Sequence, residues 1–257
     1  MTHKDVTGGE APVAAPREGW FPGRGIGGAA LVLGPLLWAA GLLLRYLGLR
    51  SAGFTPAELE WFGRQPFAVH SQVAAYVENP GTVTAGYACF AAGALLLCPA
   101  FVTLARTVAL RCPRLAAWGG TLLVIALFAR LYHAGVEQAA FDLAEAQGLR
   151  RAVDFVLSSY ADISYGPWRV PVTASACQYP GMVLLAIGAF RSGTFGLARC
   201  VALVMAGALW GGVLKAAEVS DVVWAAGLCL ALVPLGVRLL RGTAPEPRGG
   251  SSRLLSW

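Results

Sequence analysis

Six stretches of this chain stay apolar for the roughly 20 residues a helix needs to cross a bilayer. They are 25–47, 82–105, 115–135, 170–190, 197–217 and 222–240. Backbone polar groups in hydrocarbon have no water to bond, so a spanning helix must satisfy them internally. The expectation is an all-α, polytopic membrane protein with six transmembrane helices. Composition agrees: 56% of the 257 residues are hydrophobic and 13% are charged, against about 25% charged in a soluble domain. Much of the surface must therefore face lipid. Lysine occurs only at Lys4 and Lys215, while Arg, Ala, Gly and Leu abound. That usage suits a GC-rich bacterial genome and points to a bacterial plasma membrane.

The net charge of +6 is not the stripe that a nucleic acid requires, because the basic residues are dispersed and several cap apolar runs. No nucleic-acid partner is expected. The charges orient the chain instead. With the N-terminus inside, Arg24, Arg106, Arg111, Arg114, Arg191, Arg199, Arg238 and Arg241 lie on the inner side, with Lys4, Arg17, Arg248 and Arg253 in the tails. Fewer basic residues, Arg45, Arg50, Arg64, Arg150, Arg151, Arg169 and Lys215, fall outside, together with most acidic ones. Both termini are expected in the cytoplasm. Residues 1–22 and 243–257 read as loose cytoplasmic tails around one membrane domain, 23–242.

Two outer loops are long, 50–81 and 138–169. Thr55-Pro56-Ala57-Glu58 has the order of a capping box with proline in the first turn, and predicts a short helix over 56–63. The mixed apolar and charged pattern of 149–160 suits a helix lying in the membrane interface. Trp61, Tyr160, Tyr165 and Trp168 would join an interfacial aromatic belt. Pro35, Pro99, Pro180 and Pro234 sit inside spans and predict local breaks in the hydrogen-bond ladder. A faint similarity links spans two–three with spans four–five, each pair ending in a basic residue shortly before Glu137 or Glu218.

The candidate site is a polar face in the apolar run 115–139, which contains the third span. Arg130, His133 and Glu137, three and four residues apart, fall within about 60° of one side of a helix. Ionisable groups at membrane depth are costly, and they tend to face a cavity, a partner or a substrate. Asp142, Gln178, Lys215 and Glu218 would join them near the outer side, and Arg45 ends the first span at that level. Glu137 is the candidate general acid, with His133 orienting or reprotonating it. Arg130, Asp142, Gln178, Lys215 and Glu218 are candidate substrate-binding groups. Mutual pairing that holds helices in register remains open for the same residues. Small residues, Gly119, Gly120, Ala174 and Ala176, would bring the third and fourth spans together. No metal site is expected, since the His133 and Glu137 pair offers two ligands and no other span contains histidine. The dispersed cysteines predict neither a disulfide framework nor a metal cluster.

No Walker loop, His-Glu-x-x-His or Gly-x-Ser-x-Gly motif occurs, and no cofactor is called for. In size and all-helical build the chain is similar to the small membrane-bound terpene cyclases. That resemblance covers no motif, and it implies an intramembrane carboxylic acid as proton donor. The leading expectation is a protein that binds a lipid or apolar small molecule in an outward-facing polar pocket, in an accessory or resistance role. A terpene-cyclase-like enzyme and a proton-coupled secondary transporter are the alternatives. The expected partners are membrane lipids and an apolar ligand.

Overall fold

The computed structural model describes residues 22–65, 67–165, 169–207 and 217–243, the side chains of 160–165 excepted. The chain is an all-α, multi-pass membrane protein. In order, its helices are α1 (Gly23–Ser51), α2 (Pro56–Arg64), α3 (Val69–Glu78), α4 (Pro80–Ala109), α5 (Pro113–Gln147), α6 (Leu149–Tyr165), α7 (Arg169–Ser175), α8 (Gln178–Arg191), α9 (Leu197–Ala206) and α10 (Val219–Arg241). Five segments are long and apolar enough to cross a membrane: α1, α4, α5, the α7–α8 pair and α10. The expected fifth span, 197–217, appears as the 10-residue α9, and residues 208–216 lie outside the described set. Both tails, apart from Pro22 and Thr243, lie outside it too.

The bundle is organised around α1 and α4, which run antiparallel. Glycines recur every seven residues on α1, and each faces α4. A Cβ on Gly27 would meet Thr103, on Gly34 the backbone of Leu96 and Leu97, on Gly41 the backbone of Phe90, and on Gly48 the side chain of Val83. The partner positions descend as the glycines climb, the signature of antiparallel packing. A seven-residue period keeps one seam facing the neighbour over the whole length. At Gly41 the clash would be 2.6 Å from the Phe90 nitrogen, so only a missing side chain lets the two backbones come this close. α5 meets α8 in the same way, with Gly119 against Leu185 and Gly181 against Leu123. The third and fourth spans thus do approach, but through Gly119 and Gly181. Gly120 turns instead to Ala105 on α4.

The fourth span is interrupted. α7 ends at Ser175, and the chain turns at Ala176–Cys177 before α8 begins. Pro180 lacks an N–H and disfavours helical backbone in the residue before it. The ladder tightens across the turn: Ala176 and Cys177 donate to Thr173 and Ala174 at 3.2 and 3.1 Å, three residues back. Pro35, Pro99 and Pro234 lie inside continuous helices.

The segments between the spans follow the local signals. α2 carries the anticipated capping box: Glu58 N–H donates to Thr55 Oγ1 at 3.3 Å, and Thr55 N–H donates to Glu58 Oε2 at 2.8 Å. The Thr55 N–H and the Thr55 hydroxyl both donate to the Glu58 carboxylate and hold it below its ordinary range, because they favour the charged form. α6 is amphipathic, but its buried residues Ala152, Val153 and Val156 cluster with Val69 and Val73 of α3 and with Ala140 and Ala144 of α5. That face therefore covers protein, and Leu149 and Phe155 stay exposed. α3 had no counterpart among the sequence expectations.

Candidate functional site

α5 has 35 residues, about 52 Å at ~1.5 Å per residue, against ~30 Å of hydrocarbon. Arg130 and Glu137 stand about 25 and 36 Å along it from Pro113. The helix is longer than the hydrocarbon is thick, and the polar face lies in its second half. α3 and α6 pack over this overhanging part of α5.

The structure brings Arg130, His133 and Glu137 together and buries them, at 5%, 2% and 0% exposure. A guanidinium nitrogen of Arg130 lies 3.6 Å from Glu137 Oε1, so the two form an ion pair. The Arg130 guanidinium also sits over the Phe90 ring, 4.4 Å from its centroid. Arg45, buried on α1, lies 4.3 Å from the Tyr87 centroid and 5.5 Å from that of Phe90. Tyr87 is within electrostatic range of Arg45, Arg130 and Glu137. Two α4 aromatics thus gather cations from α1 and α5, contacts worth about 0.5–2 kcal/mol each depending on desolvation. Below them Trp38 packs on Phe90 with centroids 3.9 Å apart.

Above them lies an aromatic lid. Tyr87 meets Phe141 edge-on at 4.9 Å, and Phe141 stacks on Tyr76 of α3 at 4.4 Å. The Tyr87 hydroxyl donates to Gln72 Oε1 of α3 at 3.4 Å, and the Tyr76 hydroxyl donates to Glu145. Burial, reinforced by the Glu145 carboxylate, pushes the Tyr76 phenol up to about 12. Among the described residues, these rings cover the site at the α3 and α6 end of the bundle.

His133 is the outlier. Neither of its ring nitrogens has a hydrogen-bond partner among the described residues. The edge of Tyr132, 5.9 Å between centroids, offers it no polar group. A neutral imidazole carries one donor and one acceptor, and each polar group left unmatched in a protein interior costs about 1–3 kcal/mol.

The remaining sequence candidates lie elsewhere. Asp142 is exposed, about 140° round α5 from Glu137, and stands at the rim, within electrostatic range of Tyr76. Gln178 sits at the α7–α8 break, where its side-chain amide donates to the Gly207 carbonyl at 3.1 Å. It lines a small cavity of about 20 Å³ with Trp38, Phe101, Leu127 and Met182, apart from the charged cluster. Glu218 caps α10 in a reciprocal box with Asp221, and Ser220 donates to it at 3.0 Å. It lines a separate hollow with Arg50 and Tyr46. Lys215 lies outside the described residues. Sequence reasoning passed over Tyr87, Phe90, Gln72 and Tyr76 as site residues, and treated Arg45 only as a span end. The signal available was Arg45 as the single charge in its run, and the three-residue spacing of Tyr87 and Phe90.

Among the described residues, no group of three or more His, Cys, Asp or Glu side chains assembles. The six cysteines are free thiols. Comparison with protein-family models, with curated proteins and with solved structures finds no match.

Proposed function

We propose that this protein binds a lipid or other apolar small molecule bearing one polar group, and that Arg130, His133 and Glu137 receive that group. The observation carrying the reading is His133, fully enclosed yet without a polar partner among the described residues. A ligand hydroxyl, carbonyl or carboxylate would supply what the imidazole lacks. Arg130 adds a cation beside it, and Phe90, Tyr87 and Phe141 add apolar walls. The level of the site along α5 suits an amphiphile, with its head near the outer polar layer and its tail among the helices. Closure by α3 and α6 fits a site that opens to load and shuts to retain.

The proposed setting is a bacterial plasma membrane, with both termini in the cytoplasm and the site on the outer side. The arginine-rich composition supports the first, and the concentration of arginine at the end opposite the site supports the second. A role for Glu137 as a proton donor on an isoprenoid or lipid is the second reading. The complete burial of its carboxylate favours it, while Arg130 already engages one of its oxygens.

Mass spectrometry of gently extracted protein tests the proposal, alongside His133→Leu and Glu137→Gln variants matched for monodispersity. A defined molecule retained by wild type and lost from His133→Leu is expected. Identical lipid profiles for wild type and His133→Leu would reduce the cluster to a helix-pairing device. For the second reading, a product that forms with wild type and not with Glu137→Gln is required.

A further inference from the structure

A second concave region lies at the other end of the bundle, where α1 begins, α4 ends and α5 begins. We infer that it is a binding site for one anionic phospholipid, with the head group on Arg24 and Arg106 and an acyl chain in the groove between α4 and α5.

Two hollows meet at Arg106. One is an apolar groove of about 460 Å³, whose walls include Val102, Ala105, Ala109, Ala117, Val124 and Phe128. The other is a more polar hollow of about 320 Å³, lined by Arg24, Thr103, Arg106 and Thr107 among others. Arg106 belongs to both linings. Each volume is within the usual range of ligand sites, about 300–1,000 Å³. An apolar trough joined to a cationic hollow is the shape of an amphiphile with a negative head.

The groove follows from side-chain size. Gly120 lets α5 touch α4 at Ala105, where an added Cβ would come within 2.9 Å. The small residues beside that contact leave a trough open to the outside, since Ala117 and Thr121 are exposed. From Pro113 to Phe128 it runs about 22 Å, more than half of the ~30 Å hydrocarbon. That depth accommodates a chain from one leaflet.

Charge identifies the head group. Arg24 anchors itself by donating from Nε to the Leu239 carbonyl at 2.9 Å. Arg111 is committed to the Ser192 carbonyl at 3.2 Å, and Arg114 follows at the start of α5. Every Asp and Glu among the described residues lies within 58–78, 137–162 or 218–221, at the opposite end. Guanidinium groups match phosphate in charge and in planar donor geometry. Trp118, 67% exposed and one turn beyond Arg114, marks the polar boundary of the membrane at this level. The occupant is therefore a lipid of the leaflet next to the basic end, the side where anionic lipids concentrate in the proposed orientation.

The test is native mass spectrometry of the full chain in detergent, titrated with dioleoyl phosphatidylglycerol, dioleoyl phosphatidylcholine or inorganic phosphate. One phosphatidylglycerol per chain, preferred over phosphatidylcholine, is expected. Arg106→Gln should weaken phosphatidylglycerol about fivefold, the size of one arginine's attraction to an anionic lipid, and erase much of the preference. Ala117→Trp, at an exposed position, fills the groove while keeping both arginines and should weaken both lipids. Arg64→Gln, on α2 at the far end, should change nothing. Equal lipid binding by wild type and Ala117→Trp overturns the inference, and it decides alone if Arg106→Gln fails to fold. Full displacement of the lipid by inorganic phosphate overturns it too, by reducing the site to an anion hollow. Neither variant touches the Arg130, His133 and Glu137 cluster, so the two sites fail or stand separately.

Discussion

His133 exposes the tension between stability and function at the level of one residue. Two buried nitrogens without partners among the described residues are a cost of about 1–3 kcal/mol for each group left unmatched. His133→Leu should therefore raise the thermal midpoint of ligand-free protein in detergent. A lower midpoint would show that the imidazole is already satisfied. Arg130 behaves oppositely. Arg130→Ala leaves Glu137 buried without its neighbouring guanidinium, a loss of about 3–5 kcal/mol. The double variant Arg130→Met, Glu137→Gln should recover most of it. Chemical unfolding reads both, and equal instability of the single and double variants would show that the pair is uncoupled. Tyr76 supplies a pH dependence. Its phenol rises from an ordinary 10.0 to about 12 on folding, through burial and then through Glu145. A raised folded value stabilises fully below pH 10 and is lost as pH climbs toward 12. Spectrophotometric titration should find this late tyrosine, and Glu145→Gln should lower its midpoint.

At the scale of the helix, the seven-residue glycine period of α1 decides where the site residues meet. It brings α1 close enough to α4 for Arg45 to reach Tyr87 and for Trp38 to pack on Phe90. Gly41→Leu would drive a side chain into backbone atoms of Phe90 and Gly86, at 2.6 and 2.7 Å even for its Cβ. The helices must separate, so a large loss of thermal stability and of cluster integrity is expected. Gly135→Ala, where a Cβ meets nothing within 4 Å, should leave stability unchanged or slightly improved. Comparable destabilisation by both would mean that helix propensity, not close approach, governs these positions. The individual elements were largely legible from residues of the same element. Thr55 and Glu58 specify the start of α2, and Pro180 specifies the break between α7 and α8. α3 was hidden because its buried face, Val69, Val73 and Tyr76, makes sense only against α5 and α6.

For the whole molecule, the described acidic residues and most of the basic ones separate to opposite ends of the bundle. A reporter fused at Gly148 should be active only in its external form, and a cytoplasmic signal there would invert the proposed orientation. The sequence by itself determined the class of protein, because a bilayer's thickness and its lack of water turn length and hydropathy directly into spanning helices. It also placed Arg130, His133 and Glu137 on one face, since helical periodicity is a local property. Only the tertiary structure decided which other groups join them. Arg45, Tyr87, Phe90 and Gln72 come from three other helices, while Gln178 and Glu218, similar candidates by depth, are bonded elsewhere. Depth along a helix follows from counting residues. The azimuth at which two helices meet depends on the close packing of glycine against backbone, a property of pairs of elements that no single stretch of sequence carries.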